Sequence, residues 1–191
     1  MRKEPGRPRD SRIDDAVLTA AVELMGTVSY AELSVDAIAA RAGTSKPAIY
    51  RRWPSKAHLV HAAVFPIGAG TEIPDTGSLT ADVREMLRRT VAMLSTPAAR
   101  TALPGLIAEM STDPTLHAAL LQRFAGVLTH TMDERLSSAA ARGELRTGVT
   151  ATDLTEVITG IALMGVLAAA RPLDQSWIDL HSTLILKGIA A

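Results

Sequence analysis

Cysteine is absent from all 191 residues, which excludes a disulfide framework, a cysteine zinc site and a thiol nucleophile, and suits a reducing cytosol. Aromatic residues make up only 3% of the chain, while 47% of it is hydrophobic and dominated by Ala and Leu. That balance favours an all-helical chain over a β-rich one. The N-terminus is charged and Pro-rich with no apolar core, so no signal peptide is expected. Nor is a membrane partner expected. The most apolar run, Val157 to Ala169, falls short of the roughly twenty residues that span a bilayer.

Chemistry is equally sparse. The serines lack a G-x-S-x-G elbow, and His58, His61, His117, His130 and His181 are scattered without acid partners at readable spacing. His58 and His61 could share a helix face, but a third metal ligand is missing nearby, so no metal is expected. Gly68-Ala69-Gly70 follows no strand and lacks the remaining glycine of a nucleotide loop. The expectation is a non-enzyme without catalytic residues or cofactor.

A net charge of zero argues, taken alone, against nucleic-acid binding. The distribution of that charge points the other way. Up to His61 there are ten Lys and Arg against seven acids, and the remainder of the chain is correspondingly acidic. Within the basic part, Ser34 to Lys56 reads as two short helices at an angle. Ser34 suits an N-cap; Val35, Ile38, Ala39 and Ala42 follow at helical spacing on one face. Gly43 can take the left-handed conformation that stops the helix. Ser45 can cap a second helix with Pro47 in its first turn, where the backbone N–H groups lack partners anyway.

Two helices joined by a tight glycine turn make a helix-turn-helix. Its second helix would present Thr44, Ser45, Lys46, Pro47 and Ala48 to base edges in a major groove. Ser34, Tyr50, Arg51 and Lys56 are candidate contacts to the phosphate backbone around it. Met1 to Arg9 is basic and without apolar periodicity, so it is expected to be disordered when free. Either it is a solubilising tail, or Arg7 and Arg9, in a GRPR resembling an AT-hook core, enter a minor groove.

The pattern D-x-I-A-x-x-A-G-x-S-K-x-x-I-Y-x-x-W-x-S-K closely resembles the signature of the TetR family of bacterial transcriptional regulators. Ile38, Ala39, Ala42, Gly43, Ser45, Lys46, Ile49, Tyr50, Trp53, Ser55, Lys56 and Leu59 all match it. The resemblance covers about the first third of the chain. One departure lies in Thr27 to Leu33, where the aromatic usually found right after the helix-ending glycine is instead Tyr30, lengthening the loop.

The resemblance implies an all-α fold of about nine helices: a three-helix DNA-binding bundle over 1–54, with the arm at 1–9, and a ligand-binding and dimerisation bundle over 55–191. Periodicity supports this plan. A helix from Asp10 or Ser11 to near Gly26 would brace the helix pair, and Ser55 to Phe65 reads as a linking fourth helix. Pro66 to Gly77 is the clearest linker. Helices then start at Ser78, Pro97, Asp113-Pro114, Thr150 and Asp174, the third running to Arg142, about 40 Å. Pro104 is placed to kink its helix and open space beneath it.

Val157 to Ala169 is apolar all round and demands burial on every side, more than its own chain can supply. A second chain is the simplest cover. Val157, Ile161, Met164, Gly165, Ala168, Trp177 and Leu184 are accordingly the expected dimer interface, in the four-helix arrangement that TetR-like dimers use. Met86, Met93, Leu106, Met110, His117, Phe124, Leu128 and Met164 are candidates for a pocket, with Glu109, Arg123 and His130 as further polar anchors. Ordinary core filling explains the same methionines, position by position. The resemblance favours an effector site, and the shortage of aromatics an aliphatic, hydrophobic ligand.

The expectation is therefore a cytoplasmic homodimer that binds a pseudo-palindromic double-stranded operator, represses, and is released by a small hydrophobic effector. The alternative is a ligand-independent DNA-binding or adaptor protein whose C-terminal part only dimerises or docks a partner. A helical hydrolase or transferase is a distant third.

Overall fold

The computed structural model describes residues 11–66, 75–168 and 171–190, with the side chains of 123–131 outside that description. Within them the chain is all-α, as its composition and periodicity predict. The helices are α1 (Ser11–Met25), α2 (Val35–Arg41), α3 (Lys46–Tyr50), α4 (Lys56–Val64), α5 (Leu79–Leu94), α6 (Pro97–Thr112), α7 (Pro114–Ala141), α8 (Ala151–Ala168) and α9 (Gln175–Ile189).

Short polar side chains set where these helices begin. Ser34, Ser45, Ser55, Ser78, Thr96, Asp113 and Asp174 each accept a hydrogen bond from a backbone N–H in the first turn that follows. Thr150 does the same for α8 reciprocally. Its Oγ1 accepts from the Asp153 N–H at 3.1 Å, and its own N–H donates to the Asp153 carboxylate at 3.0 Å. Glycine sets two of the ends. Gly43 (φ 64°) lets the Thr44 N–H reach back to the Ala39 carbonyl at 3.0 Å. Gly143 (φ 72°) does the same for Glu144 and Ala139.

The N-terminal bundle closes around Val17, Ala21, Met25, Ile38, Ala39, Ile49 and Leu59, all buried. α4 packs on α1 on one side and on α6 on the other. In the C-terminal bundle α5 is central. Its stripe of Leu79, Val83, Met86, Leu87, Val91 and Leu94 is buried, and it packs mainly against α8 and α9. Fully burying side chains of this size contributes about 1.5–3 kcal/mol each, which offsets the entropy of ordering the chain.

A polar seam ties the start of α5 to the end of α7. Asp82 is buried and accepts from both the N–H and Oγ1 of Thr76, while Glu144 accepts from the Leu79 N–H at 2.7 Å. Leu145 and Ala190 form an isolated antiparallel bridge that fastens the α7–α8 loop to the end of α9.

α6 runs through Pro104 as one helix. At that turn the expected opening is filled from outside: the buried Tyr30 ring lies against Gly105, and its hydroxyl donates to Glu109 at 2.8 Å. This contact joins the loop between α1 and α2 to the C-terminal bundle.

Candidate nucleic-acid interface and dimerisation face

α3 is a one-sided element. Ile49 is its only buried residue, anchoring it to the bundle, while Ser45, Lys46, Pro47, Tyr50 and Arg51 are exposed and Thr44 and Ala48 half-exposed. Ser45 and Ser34 are partly committed, since each hydroxyl caps its own helix. The helix offers solvent a short row of hydroxyls, one ammonium and a phenol, the donor and acceptor types that read duplex DNA.

Four cations of this region are held by specific partners. Lys46 Nζ lies 2.7 Å from Asp36 Oδ2 on α2, and Arg41 Nε lies 2.6 Å from Glu23 Oε2 on α1. The hydrogen bond to Asp36, followed by its negative charge, pushes the Lys46 ammonium above the usual lysine range. Arg52 pairs with Asp14 and donates to the Ala48 carbonyl, bracing the end of α3 against α1. Lys56 donates to the Tyr30 carbonyl at 2.9 Å, with its Nζ 4.3 Å from the centre of the Tyr30 ring. It therefore braces the α1–α2 loop, with two ammonium hydrogens left over. Arg7 and Arg9 lie outside the described residues.

The second candidate surface is formed by α8 and α9. Ala151, Leu154, Ile158, Ala162 and Val166 turn one stripe of α8 into the core. The burial demanded by the sequence is thus met on one side only. Val157, Met164 and Leu167 point outward from α8, as do Leu180 and Leu184 from α9; Met164 is 61% exposed and Leu184 56%. Between these helices lies a concave site of about 550 Å³ lined by Ile161, Met164, Gly165, Ala168, Arg171, Trp177 and His181. The Trp177 indole stacks on His181 at 3.8 Å between ring centres, and a Cβ on Gly165 would come within 2.9 Å of that indole.

Five of the residues expected at a dimer interface, Ile161, Met164, Gly165, Ala168 and Trp177, line this concavity, with Val157 and Leu184 on its exposed apolar surroundings. The residues expected around an effector do not gather there, Met164 excepted. Met86 and Leu106 are buried in the core, Met93 and Met110 are half-buried, and His117 is exposed on α7. Glu109 is occupied by the Tyr30 hydroxyl. The side chains of Phe124, Leu128, Arg123 and His130 lie outside the described ones. Met164 is exposed on α8 and lines the concavity beside α9.

The roles of Tyr30, Asp36 and Asp14 are not apparent from the sequence. Tyr30 and Glu109 are 79 positions apart, and nothing local announces their contact. Opposite charges in neighbouring helices were the available signal for Lys46 and Asp36.

A small bundle that projects a short, capped helix after a glycine turn defines a helix-turn-helix DNA-binding protein. Residues 17–63 match the family described as bacterial regulatory proteins, tetR family, and residues 73–184 match the tetracyclin repressor-like C-terminal domain. The chain belongs to the TetR family of DNA-binding transcriptional regulators. It is 34% identical to a DNA-binding transcriptional repressor, TetR, of Mycobacteroides abscessus, over 85% of this chain and 86% of that one. It is also 27% identical to the HTH-type transcriptional regulator YdeS of Bacillus subtilis, over 100% of this chain and 96% of the relative. A solved TetR family transcription regulator superposes with a TM-score of 0.73 at 29% identity, covering 94% of this chain and 99% of that one.

Proposed function

We propose that the chain acts as a homodimeric repressor of a pseudo-palindromic operator, released by a small hydrophobic effector. The exposed apolar face of α8 and α9 carries this reading. Met164, Leu167, Leu180 and Leu184 project from two adjacent helices, and a two-fold partner offering the same face would cover all of them at once. Such a pair sets two copies of α3 in successive major grooves about 34–36 Å apart, or a simple multiple of that. Thr44, Ser45, Lys46, Pro47 and Ala48 then read bases, while Ser34, Tyr50, Arg51, Lys56 and the arm's Arg7 and Arg9 supply phosphate or minor-groove contacts. Repression is supported by the repressor from Mycobacteroides abscessus. Effector release is supported by the match to a tetracyclin repressor-like C-terminal domain.

The experiment is selection of bound duplexes from a random pool by the purified chain. An inverted repeat bound at nanomolar or tighter Kd near physiological salt is the expected product. A single non-repeated site, or binding indifferent to sequence, would reject the operator reading. A second reading, regulation without a small effector, draws on the burial of Met86 and Leu106 in the core. The two separate on whether any aliphatic ligand raises the melting temperature and releases the selected duplex.

A further inference from the structure

Lys46 does not wait for DNA as an unpaired cation. Its Nζ lies 2.7 Å from Asp36 Oδ2, and both side chains face solvent, Lys46 46% exposed and Asp36 68%. They share that surface with Ser45, Pro47 and Tyr50. Asp36 lies in the first turn of α2, where a carboxylate suits the helix dipole, but its exposed pairing with Lys46 adds little to stability. Its effect falls on whatever approaches Lys46.

An ammonium donates three hydrogen bonds, so the one given to Asp36 leaves two for an incoming acceptor. Two kinds of acceptor are available on a duplex, and Asp36 treats them differently. A phosphate oxygen brought to Lys46 comes within a Debye length of the Asp36 carboxylate, about 10 Å at 0.1 M salt, and is repelled by it. The pair is also neutral as a unit, so docking it on phosphate displaces no counterion. A guanine edge, with its neutral O6 and N7 acceptors, meets the same ammonium without that repulsion.

We propose that Asp36 is a specificity-determining positioning residue, whose carboxylate withholds Lys46 from the phosphate backbone and commits it to reading a base edge. This rests on the reading of α3 as the base-reading helix given under Proposed function, and it adds a device that suppresses sequence-independent binding. The raised ammonium pKa agrees with a lysine that stays charged while held.

The test uses the full chain in four forms: wild type, Asp36→Asn, Lys46→Ala and the double variant. Each is titrated between 50 and 200 mM KCl against the duplex that wild type selects from a random pool, and against the same duplex scrambled. Asp36→Asn should tighten binding to the scrambled duplex several-fold at low salt and steepen the log K versus log salt slope by about 0.9 per protomer on DNA. The ratio of selected to scrambled affinity should fall about tenfold, the size of one base contact. Lys46→Ala should lower that ratio and, by leaving the Asp36 carboxylate unpaired, weaken scrambled binding slightly without flattening its slope. In the Lys46→Ala background, Asp36→Asn should shift the slope no further, and Asp36→Glu alone should behave as wild type.

A slope change of the same size with and without Lys46 would mean that Asp36 acts only as bulk negative charge, overturning the proposal. So would a Lys46→Ala variant that loses scrambled binding with a flatter slope, because Lys46 would then already be a phosphate contact. If Lys46→Ala alters neither duplex, the base-reading role of Lys46 itself fails and takes the proposal with it.

Discussion

The Tyr30 ring lies so close to Gly105 that a Cβ added there would collide with Tyr30 Cδ1 and Cγ. The ring is buried, and its hydroxyl bond to Glu109 leaves it little room to retreat. Gly105→Ala should therefore overpack the junction by about 1–3 kcal/mol, lowering Tm by roughly 3–9 °C. Thermal melts followed by circular dichroism would show it, and an unchanged Tm would contradict the contact.

Tyr30→Phe probes the same junction. It deletes one hydrogen bond to a carboxylate while keeping the ring on Gly105, so a loss of about 1.5–3 kcal/mol is expected in urea melts. Burial first, then the bond to Glu109, raise the phenol pKa above the usual tyrosine range. The bond should therefore survive unchanged across neutral and mildly alkaline pH.

Glu85 gives the pH prediction. Its carboxylate accepts from Arg88 through two nitrogens at 2.7 and 2.6 Å and from Arg89 Nε at 2.6 Å, and its pKa falls from the usual 4.5 to about 2, with the Arg88 hydrogen bond the largest cause. A carboxylate with a depressed folded-state pKa stabilises fully above its unfolded value and loses that contribution as pH falls through the folded one. Comparing wild type with Glu85→Gln by chemical denaturation should show a difference on the order of 1 kcal/mol above pH 5, after allowance for solvent screening, shrinking toward pH 2. A difference that grows on acidification would refute the assignment.

The proposed dimer face is open to direct attack. Met164→Glu combined with Leu184→Glu places charges on two side chains that are exposed in one chain, so the fold should hold. Sedimentation velocity at micromolar concentration should show a monomer, and binding to an inverted repeat should weaken by orders of magnitude. A persistent dimer would move the interface off α8 and α9.

Lys56→Ala should weaken selected and scrambled duplexes alike and flatten the salt slope by about 0.9 per protomer on DNA. A weakened complex with an unmoved slope would assign Lys56 to holding the Tyr30 loop alone, through its bond to the Tyr30 carbonyl.

The features legible in the sequence are those decided within one or two helical turns. Ser34, Ser45, Ser78, Asp113 and Asp174 cap the helices they precede, and Gly43 and Gly143 end the ones they follow, because capping needs only a short polar side chain or a missing Cβ. The long apolar run in α8 announced an uncovered face because hydrophobic burial is additive along a helix. The surroundings of each methionine were not legible, since Met86 is buried, Met93 half-buried and Met164 exposed, and only the turn of each helix decides which. The partners of Lys46 and Lys56 were hidden for another reason. Charge counting along the chain reports that a region is basic, and says nothing about which cations are already paired.

α4 has seven buried residues in nine and presses α1 with one flank and α6 with the other. Beyond Lys56 and His58 such a rod has little surface suited to water, so a head cut free after Pro66 should bare the flank that packs on α6 and aggregate. Chimeric regulators made by exchanging reading heads on this body therefore face a matching problem. A donor head must bring its own α4 with a flank shaped for α6, and a ring able to sit where Gly105 leaves room.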